Sequence, residues 1–181
     1  VNYTKSFMKY SLISRILHWL MALIIIFLLG LGIYMTDFLS KEATNRMDIY
    51  NLHKSLGVLV LMLLFIRIVN RLFKKPPTLM ESMAKWEKCA AHITHIALYL
   101  SMFIVPFSGY LMSNSFGYPV MFFGIEMPFL VQTNFEIGKI FSEIHEISAF
   151  TLIGLIFFHV AGALKHRFFD KPENDVLKRM I

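Results

Sequence analysis

Two histidines in one apolar run are the first residues here that could do chemistry. Residues 145 to 165 read HEISAFTLIGLIFFHVAGALK, with His145 near one end and His159 towards the other. Over that separation a helix rises roughly 21 Å and turns the second ring back to within about 40° of the first. One helix therefore presents two imidazoles on a similar face, at two depths. Ionisable groups inside a bilayer are costly and mark functional positions. Either ring alone could equally be a histidine hydrogen-bonded to a neighbouring helix.

The elements that must position these rings are membrane spans. Of the 181 residues 56% are hydrophobic and only 17% charged, against about a quarter charged in soluble domains. One integral membrane domain over residues 1–181 is expected, an all-α bundle of four transmembrane helices. Its spans lie near residues 16–36, 52–73, 92–112 and 145–165, each long enough to cross at about 20 residues. Pro76 and Pro77 stop the second span; Pro106 is tolerable as a kink in the third. A polar connector, 78–91, separates the second and third spans, with Trp86 as an interfacial anchor. Residues 114–142, rich in aromatics and broken by Gly117, Pro119, Gly124 and Pro128, read as an interfacial flap, and residues 166–181 as a solvated tail. One cysteine, Cys89, excludes an intramolecular disulfide and a cysteine-ligated zinc or iron–sulfur cluster.

The net charge of +6 points to topology rather than nucleic acid. Fourteen of the eighteen Lys and Arg fall on the side holding both termini and the 78–91 connector, leaving Lys41, Arg46, Lys54 and Lys139 opposite. Excess positive charge marks the cytoplasm, so both termini are expected there. Antiparallel spans then put His18 level with His159 near the cytoplasmic side, and His53 level with His145 near the far side. A haem iron needs two axial imidazoles about 4 Å apart from facing helices in an apolar slot. Two such pairs, stacked across the bilayer, give a dihaem arrangement. Gly32, Gly57, Gly154 and Gly162 would let a porphyrin approach, or simply let helices pack. Zinc is the competing metal, since His92 and His95 share a helix face. HEISA at 145–149, however, lacks the second histidine of a zinc-protease motif.

Other polar residues surround these pairs. His92, His95 and His166 lie at the cytoplasmic ends of their helices, where they are either solvated or proton-handling groups beside a quinone. Arg67 either meets a haem propionate or snorkels to the surface. Lys54 and Lys139 are the cations nearest the outer pair, placed to steer a small anion or meet a propionate.

The segments SRILHW (14–19), NLHKSLG (51–57), AAHITHIALYL (90–100), IHE (144–146) and FFHVAGALKHRFF (157–169) resemble the bacterial cytochrome b561 family over nearly the whole chain. The resemblance implies two b haems held by His18, His53, His145 and His159 in a bacterial inner-membrane protein. It is similar to superoxide oxidases, which pass electrons from periplasmic superoxide to ubiquinone. It is similar, more distantly, to the dihaem membrane subunits of hydrogenases and formate dehydrogenases. A superoxide:quinone oxidoreductase is thus expected. The alternative is a non-catalytic haem anchor relaying electrons between quinone and a separate redox protein.

Reporter fusions check the topology. Those after Lys75 and Ile181 should report the cytoplasm, and those at Ala43 and Thr133 the opposite side; a cytoplasmic signal at Thr133 would break the depth matching.

Overall fold

A computed structural model describes residues 9–78, 80 and 82–181; Lys5 lies outside the described residues. Four helices are long and apolar enough to cross a membrane. They are α1 (Leu12–Ile33), extended by a π-helical turn (Tyr34–Phe38), α2 (Arg46–Phe73), α3 (Lys85–Ser115) and α4 (Phe135–Phe168). Three of the four begin where a backbone amide finds a side-chain acceptor. The Ser11 hydroxyl accepts from the Ser14 amide, and the Glu87 carboxylate from the Ala84 amide. Asn134 Oδ1 accepts from the amides of Glu136 and Ile137. These contacts satisfy amides that the first helical turn leaves open.

The helices outrun the apolar windows of the sequence. At 34 residues α4 is about 51 Å long, well beyond a hydrocarbon core of about 30 Å, so its polar ends project on both sides. It starts at Phe135 rather than near residue 145, which puts Lys139 on the helix instead of in the flap. Likewise α3 starts at Lys85, absorbing half of the expected 78–91 surface connector.

α3 pairs most extensively with α4, α1 packs on α2, and α2 on α3. Met21, Ile25, Val60, Leu64 and Leu152 form the central buried layer. Leu23, Phe65, Phe150, Phe157 and Phe158 are all exposed. This excess of outward apolar surface exceeds what water tolerates and suits lipid tails.

The flap between α3 and α4 contains a two-stranded hairpin, β1 (Met121–Phe122) and β2 (Ile125–Glu126). Phe123 (φ 47°) and Gly124 (φ 92°) form its turn. Positive φ at both central residues is the tight geometry that matches strand twist, costly for phenylalanine but free for glycine. The hairpin is clipped to α2. Ser55 Oγ donates to the Met121 carbonyl at 2.8 Å and accepts the Phe123 amide at 3.1 Å, while Lys54 Nζ donates to the Pro119 carbonyl at 2.6 Å.

The tail is not simply solvated, as its polarity suggested. Asn174, Asp175 and Arg179 are buried. Tyr10 N–H donates to the Arg179 carbonyl, Trp19 Nε1 to the Met180 carbonyl at 2.9 Å, and Arg179 Nη2 to the Thr78 carbonyl at 2.9 Å. Polar partners from three separate segments account for this. Both described ends of the chain therefore share one end of the bundle, opposite the flap.

Arg167 donates to Asp175, as does the Lys178 amide. Burial pushes the Asp175 carboxyl up, but these bonds outweigh it and hold it below its ordinary value. A depressed carboxyl contributes stability above its unfolded value, near 3.9, and that contribution fades as pH falls through the lower folded value. Asp175→Asn should thus speed hydrogen exchange of the tail amides several-fold at pH 7. The difference from wild type should shrink below about pH 3. Equal exchange at pH 7 would show that Asp175 does not hold the tail.

Candidate functional site

The four span histidines come together as two pairs. At the termini end, His18 of α1 and His159 of α4 have ring centroids 6.1 Å apart and planes at 66°. At the flap end, His53 of α2 and His145 of α4 are 6.2 Å apart with planes at 78°. A metal ion holding two imidazole nitrogens at about 2 Å each separates their centroids by roughly 6 Å. Both pairs therefore have the spacing of two rings that share one metal between them.

Local chemistry agrees with that use. His145 Nδ1 lies 2.8 Å from the Val105 carbonyl. A carbonyl only accepts, so Nδ1 carries the proton and Nε2 keeps its lone pair for a metal, the outer-shell arrangement that fixes a ligand's tautomer and orientation. His53 Nδ1 is buried without a hydrogen-bond partner, a costly state for a polar atom that suits a ring whose partner is not protein. A Cβ added at Gly154 or Gly162 would meet nothing within 4 Å, so α4 leaves open space on its surface between and beyond its two histidines. At Gly32 a Cβ would touch His53 at an ordinary 3.7 Å. The donor set, two neutral imidazoles per site with no thiolate, suits a b-type haem better than a zinc or iron–sulfur centre.

Of the remaining histidines only His95 joins a pair, its ring 5.3 Å from that of His159. His92 is exposed three residues earlier and lies apart. His166 belongs to another network. Its Nδ1 meets Asp170 Oδ2 at 2.6 Å, and the Lys165 ammonium lies 2.8 Å from the other oxygen of that carboxylate and also binds Glu87. Glu87, His166 and Asp170 are close enough to ligate a metal ion, but the ammonium already supplies the positive charge. Bonds from Lys165 and His166 hold the Asp170 carboxyl below its usual range. This network ties α3 to α4.

Arg67 reaches inward. Its Nη2 is 3.2 Å from His18 Nδ1, and its Nε donates to Tyr99 Oη at 3.0 Å. Tyr99, one turn beyond His95 on α3, was legible as a neighbour only from the i, i+4 spacing. At the flap end Lys139 is paired with Glu136 at 3.1 Å and lies over the Phe135 ring. Lys54 donates to the neutral Pro119 carbonyl.

The sequence profile described as prokaryotic cytochrome b561 matches residues 9–181. The chain belongs to the prokaryotic cytochrome b561 family. It is 33% identical to cytochrome b561 homolog 2 of Escherichia coli (strain K12) over 182 aligned positions, covering 100% of this chain and 95% of the relative. Cytochrome b561 homolog 1 of the same organism is 25% identical, covering 95% of this chain and 97% of the relative. A Yersinia pestis protein named probable superoxide oxidase CybB is 27% identical, covering 95% and 96%. Membership makes this a membrane electron-transfer protein and implies b-type haem. Its four apolar helices fit a multi-pass bacterial membrane protein.

Sequence reasoning missed Gly109. A Cβ there would lie 2.9 Å from His145 Cε1 and Nδ1, inside any normal contact, against a ring already fixed by Val105. Gly109→Ala should therefore displace His145 and lower haem content per chain in a pyridine haemochrome assay. Gly30→Ala, whose Cβ meets nothing within 4 Å, should leave it unchanged. Full haem content in Gly109→Ala would mean that the fit of His145 against α3 does not matter.

Proposed function

We propose that the chain is a superoxide:ubiquinone oxidoreductase carrying two b haems, an outer one on His53 and His145 and an inner one on His18 and His159. Both termini are cytoplasmic and the flap is periplasmic. The observation that carries this reading is the two facing imidazole pairs at two depths of α4, each with metal-spanning separation. Haem supplies reversible one-electron chemistry at each site. His18 with His159, and His53 with His145, would hold the haems, and the chain would add an apolar slot and the charge at each mouth.

At the periplasmic mouth superoxide need only lose an electron, becoming dioxygen, so no protein acid is required. Two such electrons and two cytoplasmic protons reduce ubiquinone to ubiquinol. His95 beside His159 is the imidazole best placed to hand on a proton there, and His92 lies nearer the surface. His166, buried against Asp170, serves the α3–α4 junction instead. The specific donor is suggested by the name of the Yersinia pestis relative and by a cation next to His53.

Of the two outer lysines, Lys54 is the better candidate for steering an anion, because Glu136 already offsets Lys139. Lys54→Gln keeps a donor for the Pro119 carbonyl and removes the charge. It should slow haem reduction by superoxide severalfold, up to about tenfold at low ionic strength, with little change for a neutral donor. Lys139→Gln should do less. Wild-type superoxide rates in Lys54→Gln would remove this support.

Stopped-flow reduction of the purified chain by superoxide, with and without ubiquinone, tests the function itself. Haem reduction followed by reoxidation only when quinone is present is expected. Failure of the isolated chain to reduce quinone would favour an anchor serving another redox protein. His53→Ala and His145→Ala should remove one haem and leave much of the other's spectrum, and His18→Ala and His159→Ala the converse. One haem per wild-type chain would contradict the pairing.

A further inference from the structure

The two histidine pairs differ in what touches them. At the flap end, His145 donates its Nδ1 proton to the Val105 carbonyl. That bond makes the ring a more basic ligand, which favours the more positive, oxidised state of a bound iron. At the termini end, a guanidinium lies 3.2 Å from His18 Nδ1. A guanidinium only donates, and a ring that keeps Nε2 for iron carries its proton on Nδ1, so this is a close charge rather than a hydrogen bond to the ring; the hydrogen bond of Arg67 Nε goes to the Tyr99 hydroxyl, which is neutral. The recess around Arg67 is lined by two further cations, Arg71 and Lys74, and, among the described residues, by no carboxylate side chain; Arg71 lies over the face of Tyr99. A fixed positive charge at this range, in a medium of low dielectric, favours the less positive, reduced state of a nearby iron.

We propose that Arg67 is a positioning residue for electrons: its charge, paired with no carboxylate among the described residues, gives the inner haem, on His18 and His159, the higher reduction potential of the two. The Val105 bond to His145 acts in the same direction by lowering the outer one. An electron reaching the outer site then moves downhill to the inner site. One iron is oxidised, the other is reduced, and no proton or co-reactant is needed. Lys54 partly opposes this difference, but its ammonium is turned to the Pro119 carbonyl in the flap, whereas Arg67 touches the ligand itself. The inference rests on the two-haem reading above.

The test is redox potentiometry of the purified, haem-loaded full chain, following the two haem components optically. The component lost in His18→Ala identifies the inner haem. Arg67→Gln, which keeps a hydrogen-bond donor for Tyr99 but no charge, should shift the inner component to lower potential and leave the outer one in place. Arg67→Lys, which keeps the charge, should largely restore it. Arg71→Gln, one turn further from His18, should give a smaller shift.

Unmoved potentials in an Arg67→Gln protein with both haems would overturn the proposal, as they would if the porphyrin's own carboxylates cancelled the charge. So would equal shifts in both components, or a wild-type inner haem of lower potential than the outer. If Arg67→Gln fails to load haem, the order of the two wild-type potentials and the Arg71→Gln shift still decide it. A single haem component in the wild type would instead defeat the two-haem reading and leave Arg67 aside.

Discussion

Everything in this bundle depends on two imidazoles of α4 each facing an imidazole of another helix across roughly 6 Å. Two apolar helices have little reason to bring polar rings together inside a bilayer, because each ring forgoes water for a partner that satisfies it poorly. A shared metal reverses that balance. Such a metal would accept a lone pair from each ring and leave the remaining nitrogen to a carbonyl or to the bundle mouth. The length of α4 then follows, since it must reach from the His18 level to the His53 level. Its histidines His145 and His159 lie about 21 Å apart along the helix, and its polar ends extend beyond the hydrocarbon on both sides.

The two mouths are built differently. At the flap end a hairpin is pinned to the residues that directly follow His53, through Lys54 and Ser55. This fixes the flap against α2 beside the outer pair. At the termini end the tail crosses back over α1 and the α2–α3 connection, with the Trp19 indole, next to His18 in sequence, bonded to Met180. His95, Arg67 and Tyr99 gather there beside the inner pair. Under the proposed function, a periplasmic mouth would only remove electrons from its donor and a cytoplasmic mouth would also have to supply protons, needs that these different constructions would serve.

Much of this was legible in the sequence because the bilayer simplifies reading. Backbone groups must be satisfied within helices, so apolar runs give the spans. Antiparallel order then gives the depth of each histidine, and the four pair as that order implies. Helix ends were less legible. The start of α4 carries Glu136, Lys139 and Glu143, which reads as loop by hydropathy yet forms helix once Asn134 caps it. The tail looked solvated because its polar residues find one another only after α1, α4 and the connector are assembled. Gly109 and Arg67 are tertiary facts. Nothing in the sequence says that His145 presses on one particular glycine of α3, or that a guanidinium fourteen residues after His53 turns towards His18.

The most direct measurement of the central claim is low-temperature electron paramagnetic resonance of the oxidised, purified chain. Imidazole planes crossing at 66° and 78° predict two low-spin ferric signals, both of the highly anisotropic type that crossed axial ligands produce. One should disappear in His18→Ala and the other in His53→Ala. A single signal, or high-spin iron as the main species in the wild type, would contradict two separately ligated bis-imidazole haems.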